Sequence, residues 1–285
     1  MSKRFPVILA VLAVVLAACT SGSGASGAPS IGPSVLPSDA TSEAPSIEPI
    51  ELTIYGAASL KGALDATKPV YEAAHPGVTL IISTDSSSAL ATQVEEGAPA
   101  DVFLSADTKN PTALSDKGLT DGAPVEFATN ILTVVVPIGN PAGIGTPADL
   151  AKAGVKVIAA GDEVPITTYA TQLVDNLAKE PGYPADFAAR YQANVVSKED
   201  NVKAVVAKLE LGEGDAAIAY DTDAKASTLV ATVDVPESAN VVATYAGVVV
   251  KATTHTEAAT AFLTWFAGAD GQAILSGFGF LPPAT

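Results

Sequence analysis

The sequence predicts an α/β fold, because short β-rich runs alternate with amphipathic helical stretches from Glu51 onward and no fixed-period repeat is evident. The 285 residues are 48% apolar and 16% charged, which is enough for a substantial core in one or two domains. Helices between the strands favour mostly parallel sheets. The strand candidates are Leu52–Tyr55, Thr79–Ser83, Val102–Ser105, Ile131–Val136, Val155–Ala159, Ala216–Tyr220 and Val241–Val250.

The N-terminal segment, residues 1–18, has the pattern of a signal peptide. Lys3 and Arg4 precede an apolar run of twelve residues, Val7–Ala18, which is too short to span a bilayer. The run leads into Leu-Ala-Ala-Cys, which resembles the lipobox of bacterial lipoproteins, and Cys19 is the only cysteine of the chain. We therefore expect lipid attachment at Cys19 and an extracytoplasmic protein anchored to the cell membrane. A chance cysteine after an ordinary signal peptide is the alternative.

Residues 19–49 predict a flexible tether between that anchor and the folded part. From Thr20 to Pro49 the chain is rich in Ser, Gly, Pro and Ala, contains no Lys or Arg, and shows neither helical nor strand periodicity. A coil of this length has a root-mean-square reach of roughly 30 Å. The folded part can then lie near the membrane without touching lipid.

The chain is strongly acidic. Its formal net charge is −16, and loss of Lys3 and Arg4 with the signal segment removes two positive charges and leaves −18. This charge argues against nucleic acid and anionic membrane surfaces as partners. It does not exclude a small anion as ligand, because fields from exposed carboxylates are screened within about 8–10 Å at moderate salt.

Two predicted helices begin where serine follows a strand. The second runs from about Ser87 through Leu90 and Val94 to Gly97. The first begins near Ser59 and stops before His75-Pro76-Gly77, where proline and glycine disfavour continuation. Its expected buried residues are Leu60, Leu64, Val70 and Tyr71.

Two further helix starts follow Gly161–Pro165 and Lys198–Asn201. The first of these helices carries Tyr169, Leu173 and Leu177. The second ends at Gly212 and carries Val202, Val205, Val206 and Leu209. Val202 would lie in the first turn, where the backbone N–H has no partner within the helix. The next strand, Ala216–Tyr220, ends in an aromatic residue with a hydroxyl group.

The serine turns at Tyr55–Leu60 and Ser83–Leu90 suggest an oxyanion receptor. A helix start exposes up to four unpaired N–H groups and a partial positive charge, and a serine hydroxyl adds a further donor. Either Ser59 or Ser87 alone would more simply be a helix cap. The pair, with the extra hydroxyls of Ser86 and Ser88, favours ligand contact, and Ser86 could exchange roles with Ser87.

Other chemistries find less support in the sequence. Asp221 and Asp223 point to opposite sides of an extended chain and have no accompanying histidine, so they do not predict a metal site. A serine hydrolase would need a Gly-x-Ser-x-Gly elbow, which is absent, and a base from the only two histidines, His75 and His255, both in surface turns.

Five segments together resemble the periplasmic molybdate-binding protein of ABC importers, a type II solute-binding protein. The Gly-Ala-Pro-Ala-Asp segment at 97–101 alone would indicate only the broader group of two-lobed anion receptors. With both serine turns and the Tyr220 strand it favours molybdate and tungstate. The resemblance covers most of Ile50–Pro283, and its segments are Ala57–Leu60, Ser86–Leu90, Glu96–Asp107, Gly214–Asp223 and Gly277–Phe280.

The resemblance implies the two-lobed type II fold, with a mostly parallel sheet and flanking helices in each lobe and the ligand cleft between lobes. We expect the first lobe to comprise residues 50–130 and 222–285 and the second to comprise 131–221, with two crossings acting as a hinge. In the family, two serines, backbone amides and a tyrosine hydroxyl hold the oxyanion without a charged partner. Carried over residue by residue, these contacts are Ser59, Ser87, the Ile166 and Val202 amides, and Tyr220.

The position of Ile166 departs from the family pattern. The family has a small residue and glycine after a Val-Pro pair, whereas this chain has Val164-Pro165-Ile166-Thr167-Thr168. The Ile166 amide needs no particular side chain, and Thr167 or Thr168 could add a hydroxyl.

The function implied is capture of molybdate or tungstate and delivery to the membrane permease of an ABC importer. The protein would be a monomeric binding protein and no enzyme, with no cofactor and no direct metal-ion ligands. A receptor for sulfate or another tetrahedral oxyanion is the alternative of the same class. A secreted hydrolase or a surface adhesion module is the alternative of a different class.

Overall fold

Two five-stranded sheets, each flanked by helices, form the described part of the computed structural model, residues 49–283. The predicted signal peptide, Cys19 and the linker as far as residue 48 lie outside the described residues. Within 49–283, no helix has the length and apolar character needed to cross a membrane. The strands are β1 (Ile50–Ala57), β2 (Val78–Asp85), β3 (Val102–Ser105), β4 (Thr120–Asn130), β5 (Leu132–Pro137), β6 (Val157–Ala160), β7 (Val195–Glu199), β8 (Ala216–Tyr220), β9 (Val230–Val233) and β10 (Ala243–Val250).

The first sheet has the order β2-β1-β3-β10-β4 and belongs to what we call the first lobe. Strands β2, β1 and β3 pair in parallel, and β10 is antiparallel to both β3 and β4. Four strands therefore run in one direction and one runs against them. The central strand β3 is buried along its whole length, because helices cover both faces of the sheet there.

The second sheet repeats this arrangement with the order β7-β6-β8-β5-β9 and belongs to the second lobe. Strands β7, β6 and β8 are parallel, and β5 is antiparallel to both β8 and β9. The prediction of a mostly parallel sheet in each lobe is confirmed. One hydrophobic cluster runs through both lobes, and the rings of Tyr220 and Tyr245 meet within it with centroids 5.7 Å apart.

The helices lie between the strands, as the alternating pattern predicted. Short 3-10 helices occur at Ala58–Leu60 and Pro147–Ala151. Gly77 and Gly97, which follow the first two α-helices, have φ angles of 92° and 87°, a conformation that glycine adopts at helix ends. The α-helices are α1 (Lys61–Ala74), α2 (Ser87–Glu95), α3 (Lys109–Asp116), α4 (Pro165–Leu177), α5 (Phe187–Ala193), α6 (Val202–Glu210), α7 (Asp221–Lys225), α8 (Thr256–Ala267) and α9 (Ala269–Gly277).

One predicted core position of the first helix is wrong. Leu60, Leu64 and Tyr71 are buried, but Val70 is 48% exposed. The buried stripe follows the spacing 60, 64, 67, 71, so the fully buried Thr67 occupies the position between Leu64 and Tyr71. The stripe is set by helical geometry, and Val70 lies off it despite its apolar side chain.

The return of the chain to the first lobe comes later than predicted. We expected residues 222–285 to belong to the first lobe, yet β9 pairs with β5 in the second sheet. That part of the prediction is wrong, because the edge strand β9 completes the second sheet before the chain crosses back. The two crossings lie between β4 and β5 and between β9 and β10. Asn240 joins them, since its amide exchanges hydrogen bonds of 3.1 and 2.9 Å with the backbone of Leu132.

A buried ion pair joins the end of β8 to the start of α6. Asp223 in α7 is 1% exposed, and its Oδ1 lies 2.9 Å from Nζ of Lys203 in the first turn of α6. Burial raises the pKa of Asp223, and the Lys203 ammonium lowers it in part. The pair therefore holds Tyr220, at the end of β8, beside the helix start at Val202.

We expect Lys203→Met to lower the free energy of unfolding by about 1–3 kcal/mol, because it leaves the buried Asp223 carboxylate without its partner. Equilibrium unfolding in urea measures the change. Lys208→Met is the matched control, since Lys208 lies in the same helix with similar exposure, whereas its partners Glu199 and Glu213 are more accessible to solvent than Asp223. Equal losses of unfolding free energy in the two variants would show that the pair of Lys203 with Asp223 stabilises the fold no more than the pairs of Lys208.

Candidate binding cleft

All five residues predicted to contact a ligand line one small cavity between the two lobes. It encloses about 210 Å³ of space, part of which is open to solvent, so the cavity is small. The first lobe contributes Ala57, Ala58, Ser59, Ser86, Ser87 and Ala106. The second lobe contributes Val164, Pro165, Ile166, Asn201, Val202 and Tyr220.

Ser59 lies in the 3-10 turn that follows β1 and leads into α1. The side chain is buried, with 6% of its surface exposed, and its Oγ lies 2.9 Å from the hydroxyl oxygen of Tyr245. No side-chain hydrogen bond caps this turn. The hydroxyl is thus held by a tertiary contact and does not serve as the helix cap that a lone serine would suggest.

Ser87 is the first residue of α2 and is held in a different way. Its Oγ accepts a hydrogen bond of 3.0 Å from the backbone N–H of Ala106, the residue after β3. Ser86 precedes the helix, and its Oγ lies 2.9 Å from that of Ser88. The two serines therefore differ, because Ser87 is fixed by the backbone of the cleft wall whereas Ser86 pairs with another serine.

The start of α4 presents the Ile166 amide. Pro165 opens the helix and has no N–H, and the N–H of Thr167 donates to the Val164 carbonyl at 2.9 Å. Ile166, which lines the cavity, therefore supplies the first-turn N–H next to the proline. The Thr167 hydroxyl donates to the carbonyls of Ala160 and Gly161, at 3.1 and 2.8 Å, so it is used within its own loop.

The start of α6 presents the Val202 amide. Asn201 caps this helix, because its Oδ1 accepts from the Ala204 N–H at 3.1 Å. The side chain of Val202 is buried, with 4% exposure, and packs in the core. Its potential contribution to a ligand is the main-chain N–H, which a first-turn position leaves without a helical acceptor.

Tyr220 carries an unpartnered hydroxyl into this cavity. Its side chain is 1% exposed, and its Oη has no hydrogen-bond partner among the described residues. Burial raises the pKa of Tyr220 well above its ordinary value, so the hydroxyl keeps its proton. A buried hydroxyl without a partner is costly, and such groups occur where a ligand completes the bonding.

No charged side chain lines the cavity. Among nearby carboxylates, Asp107 accepts hydrogen bonds from Ser105 and Asn110, and Asp223 pairs with Lys203. The positive potential inside the cleft therefore comes from N–H dipoles at helix starts and from hydroxyl protons. Such a site can bind an anion but offers no nucleophile with a base.

Metal chemistry has no support among residues 49–283, where no cluster of His, Cys, Asp and Glu is arranged to hold a metal ion. Neither described histidine lines the cleft. A larger cavity of about 490 Å³ lies within the second lobe, behind α4, and includes only Ile166 of the five predicted residues. The smaller cleft between lobes is therefore the candidate site.

The two lobes are tied together at the rim of the cleft. The Nδ2 of Asn201 in the second lobe donates to Oδ1 of Asp85 in the first lobe at 2.9 Å. The same oxygen accepts the Ser86 N–H at 2.7 Å. This bond spans the lobes and belongs to a closed arrangement of the cleft.

Sequence reasoning missed four residues that shape the cleft. The Asn201 cap was visible as the polar residue before an apolar helical pattern, but its link to Asp85 depends on tertiary structure. Ala106 acts through its amide, and the buried Tyr245 and Asn130 stand behind Ser59. Tyr245 lies in an apolar strand, where the sequence offers no signal of a polar role.

Comparison with known proteins places this geometry in a family. The model of the family described as bacterial extracellular solute-binding protein matches residues 52–281. A relative named molybdate-binding protein ModA, from Mycobacterium tuberculosis, is 35% identical over 233 residues, which cover 81% of this chain and 85% of the relative.

Two solved structures show the same fold with different named ligands. The periplasmic molybdate-binding protein of Azotobacter vinelandii aligns with a TM-score of 0.68 and 24% identity, over 82% of this chain and all of that one. The sulfate-binding protein SubI from Mycobacterium tuberculosis aligns with a TM-score of 0.73 and 24% identity, over 82% of this chain and 87% of that one.

The structures alone thus support the two-lobed fold and do not choose a ligand. The family model extends further, because it spans nearly all of the described residues. Its members bind solutes outside the cytoplasm and are not enzymes. The chain, with its two mixed sheets and a small cleft between them, belongs to the family of bacterial extracellular solute-binding proteins.

Proposed function

We propose that the protein captures molybdate or tungstate and delivers it to the permease of an ABC importer. The observation that carries the proposal is the buried, unpartnered Tyr220 hydroxyl in a cavity that also receives Ser59 and Ser87. A tetrahedral oxyanion offers acceptors in several directions at once and suits donors converging from both lobes. The relative named for molybdate binding, at 35% identity, supports this choice of anion.

The donor set consists of the hydroxyls of Ser59, Ser87 and Tyr220 and the amides of Ile166 and Val202. Hydrogen bonds to a charged group contribute about 1.5–3 kcal/mol each. After the costs of dehydrating a dianion and closing the lobes, roughly −8 to −12 kcal/mol remains, which corresponds to micromolar to nanomolar binding. Neutral donors thus suffice for tight capture.

Closure follows from the division of the donors between lobes. Ser59 and Ser87 belong to the first lobe, and the other contacts belong to the second. An anion that bridges them stabilises the closed state, because the three second-lobe contacts are added to the first-lobe contacts only there. The crossings joined by Asn240 would then act as the hinge.

Calorimetric titration with molybdate, tungstate, sulfate and phosphate tests the proposal. We expect micromolar or tighter binding of molybdate or tungstate and weaker binding of phosphate, whose proton would find no carboxylate acceptor in the lining of the cavity. Tighter binding of sulfate than of molybdate would instead support a sulfate receptor. Absence of binding to all four anions would reject the oxyanion function.

We expect Ser59→Ala and Ser87→Ala each to weaken molybdate binding by about 1–3 kcal/mol, because each removes one hydrogen bond to a charged ligand. The same titration measures this loss. Ser86→Ala is the neighbouring control and should have a smaller effect, since its hydroxyl pairs with Ser88. If Ser59→Ala or Ser87→Ala binds molybdate with the parental affinity, that serine has only a structural role.

We expect Tyr220→Phe to speed molybdate release by roughly ten- to a hundredfold, equivalent to about 1.4–2.8 kcal/mol, with little change in association. The variant keeps the ring packing against Tyr169 and Tyr245 and removes only the second-lobe donor. Stopped-flow binding resolves the two rates. A parental release rate would show that the hydroxyl plays no part in closure.

Lipid anchoring at Cys19 is part of the proposal. The short apolar run, the Leu-Ala-Ala-Cys sequence and the single cysteine support it. We expect export in a host that performs lipidation to yield a membrane-bound protein beginning at a lipid-modified Cys19. Mass spectrometry of the membrane fraction measures this, with Cys19→Ala as the control. A soluble, unmodified N-terminus beyond Ala18 in the parent would contradict the anchor.

A further inference from the structure

A buried tyrosine outside the cleft contacts the first of the two serines. Tyr245 lies on β10, is fully buried and does not line the cavity. Its Oη lies 2.9 Å from Ser59 Oγ and makes a longer contact of 3.5 Å with Asn130 Nδ2. Either hydroxyl could donate in the pair with Ser59, so the direction depends on what else Tyr245 contacts.

The surroundings of Asn130 settle that direction. Its Oδ1 accepts the N–H of Ile131 at 3.0 Å, which fixes the orientation of the amide group. Its Nδ2 donates to Thr222 Oγ1 at 2.8 Å, and the second hydrogen is directed at Tyr245 Oη. Tyr245 thus receives a hydrogen from Asn130 and has its own proton to give to Ser59.

We propose that Tyr245 is a positioning residue that donates to Ser59 Oγ and thereby leaves the Ser59 proton for the anion in the cleft. The inference rests on the proposed function, which it deepens by assigning the selectivity of the site. The hydrogen bonds run in one direction from Asn130 through Tyr245 to Ser59. Burial raises the pKa of Tyr245 well above its ordinary value, so the donated proton is always present.

Ser87 reaches the same state by another route. Its Oγ accepts from the Ala106 N–H, a backbone donor that cannot reverse. Both serine oxygens thus receive a hydrogen from the protein, and both protons remain for a ligand. Only at Ser59 does the proposed donor belong to a side chain, that of Tyr245. Removing the Tyr245 hydroxyl oxygen therefore tests the direction of this hydrogen bond.

The direction of the hydrogen bonds to the two serines defines the class of anion that the site accepts. A fully deprotonated oxyanion has acceptors for every donor, whereas hydrogen phosphate carries a proton that needs an acceptor. While Tyr245 occupies Ser59 Oγ, that oxygen is less able to receive such a proton. Tyr245 is therefore a determinant of discrimination between proton-free and protonated tetrahedral anions.

The test compares Tyr245→Phe with the parent, using molybdate and inorganic phosphate as probes. The variant preserves the ring contacts with Phe127 and Phe280 and removes the hydroxyl. We expect the molybdate Kd to rise about three- to tenfold, the size of one hydrogen bond, and the phosphate Kd to rise less or to fall. The ratio of the phosphate Kd to the molybdate Kd therefore falls. A simple loss of packing would not change this ratio.

A double-mutant cycle with Ser59→Ala shows whether Tyr245 acts through Ser59. We expect Tyr245→Phe to change the molybdate Kd by less than about twofold once Ser59 lacks its hydroxyl. Tyr71→Phe is the matched control, because Tyr71 is an equally buried tyrosine of the first lobe that does not line the cleft. It should leave both constants at the parental values.

If Tyr245→Phe fails to fold, Asn130→Ala removes the donor one step earlier and must lower the phosphate-to-molybdate ratio of Kd values in the same way. A parent that binds molybdate, with an unchanged ratio in the folded variant, would overturn the role of Tyr245 alone. Additive effects of Tyr245→Phe and Ser59→Ala would do the same. A parent that binds no tetrahedral oxyanion would overturn the proposed function and this inference with it.

Discussion

The cleft depends on one constraint, which is that the first N–H groups of a helix have no acceptor within the helix. Four helical segments begin next to the same small space, and their first turns carry Ser59, Ser87, Ile166 and Val202. In each lobe these segments follow parallel strands, whose carboxyl ends meet at one edge of the sheet. Two such edges face one another, so the dipoles of all four segments add in the same volume.

The acidity of the chain is compatible with this arrangement because carboxylates near the cleft are already engaged. Asp107 is held by Ser105 and Asn110, and Asp223 by Lys203. Hydrogen bonds from neutral groups stabilise the Asp107 carboxylate, the Lys203 ammonium offsets the charge of Asp223, and the exposed surface charges are screened by solvent. The net charge of −16 is therefore compatible with a cleft that has no charged side chain in its lining and offers N–H and hydroxyl donors.

The sequence predicted those features that a local pattern of residues determines. The helix starts at Ser87 and Val202 and the strand that ends in Tyr220 follow from periodicity and capping, and the structure confirms them. Strands β4, β7 and β9 were missed. Each is a sheet edge, and β4 has an exposed first half with glycine and proline, so its pattern resembles a loop. Tyr245 was missed because its polar contact depends on residues distant in sequence.

Asn201 performs two tasks with one amide group. Its oxygen caps α6 and its nitrogen bonds Asp85 across the cleft. The bond that seals the rim is therefore one peptide unit away from the Val202 N–H, the group that we propose contacts the anion. Under the proposed function, an anion too large for Val202 to approach would also keep Asn201 away from Asp85, because the two residues are adjacent in the chain. The fit of the anion at Val202 would then set how long the ligand stays bound.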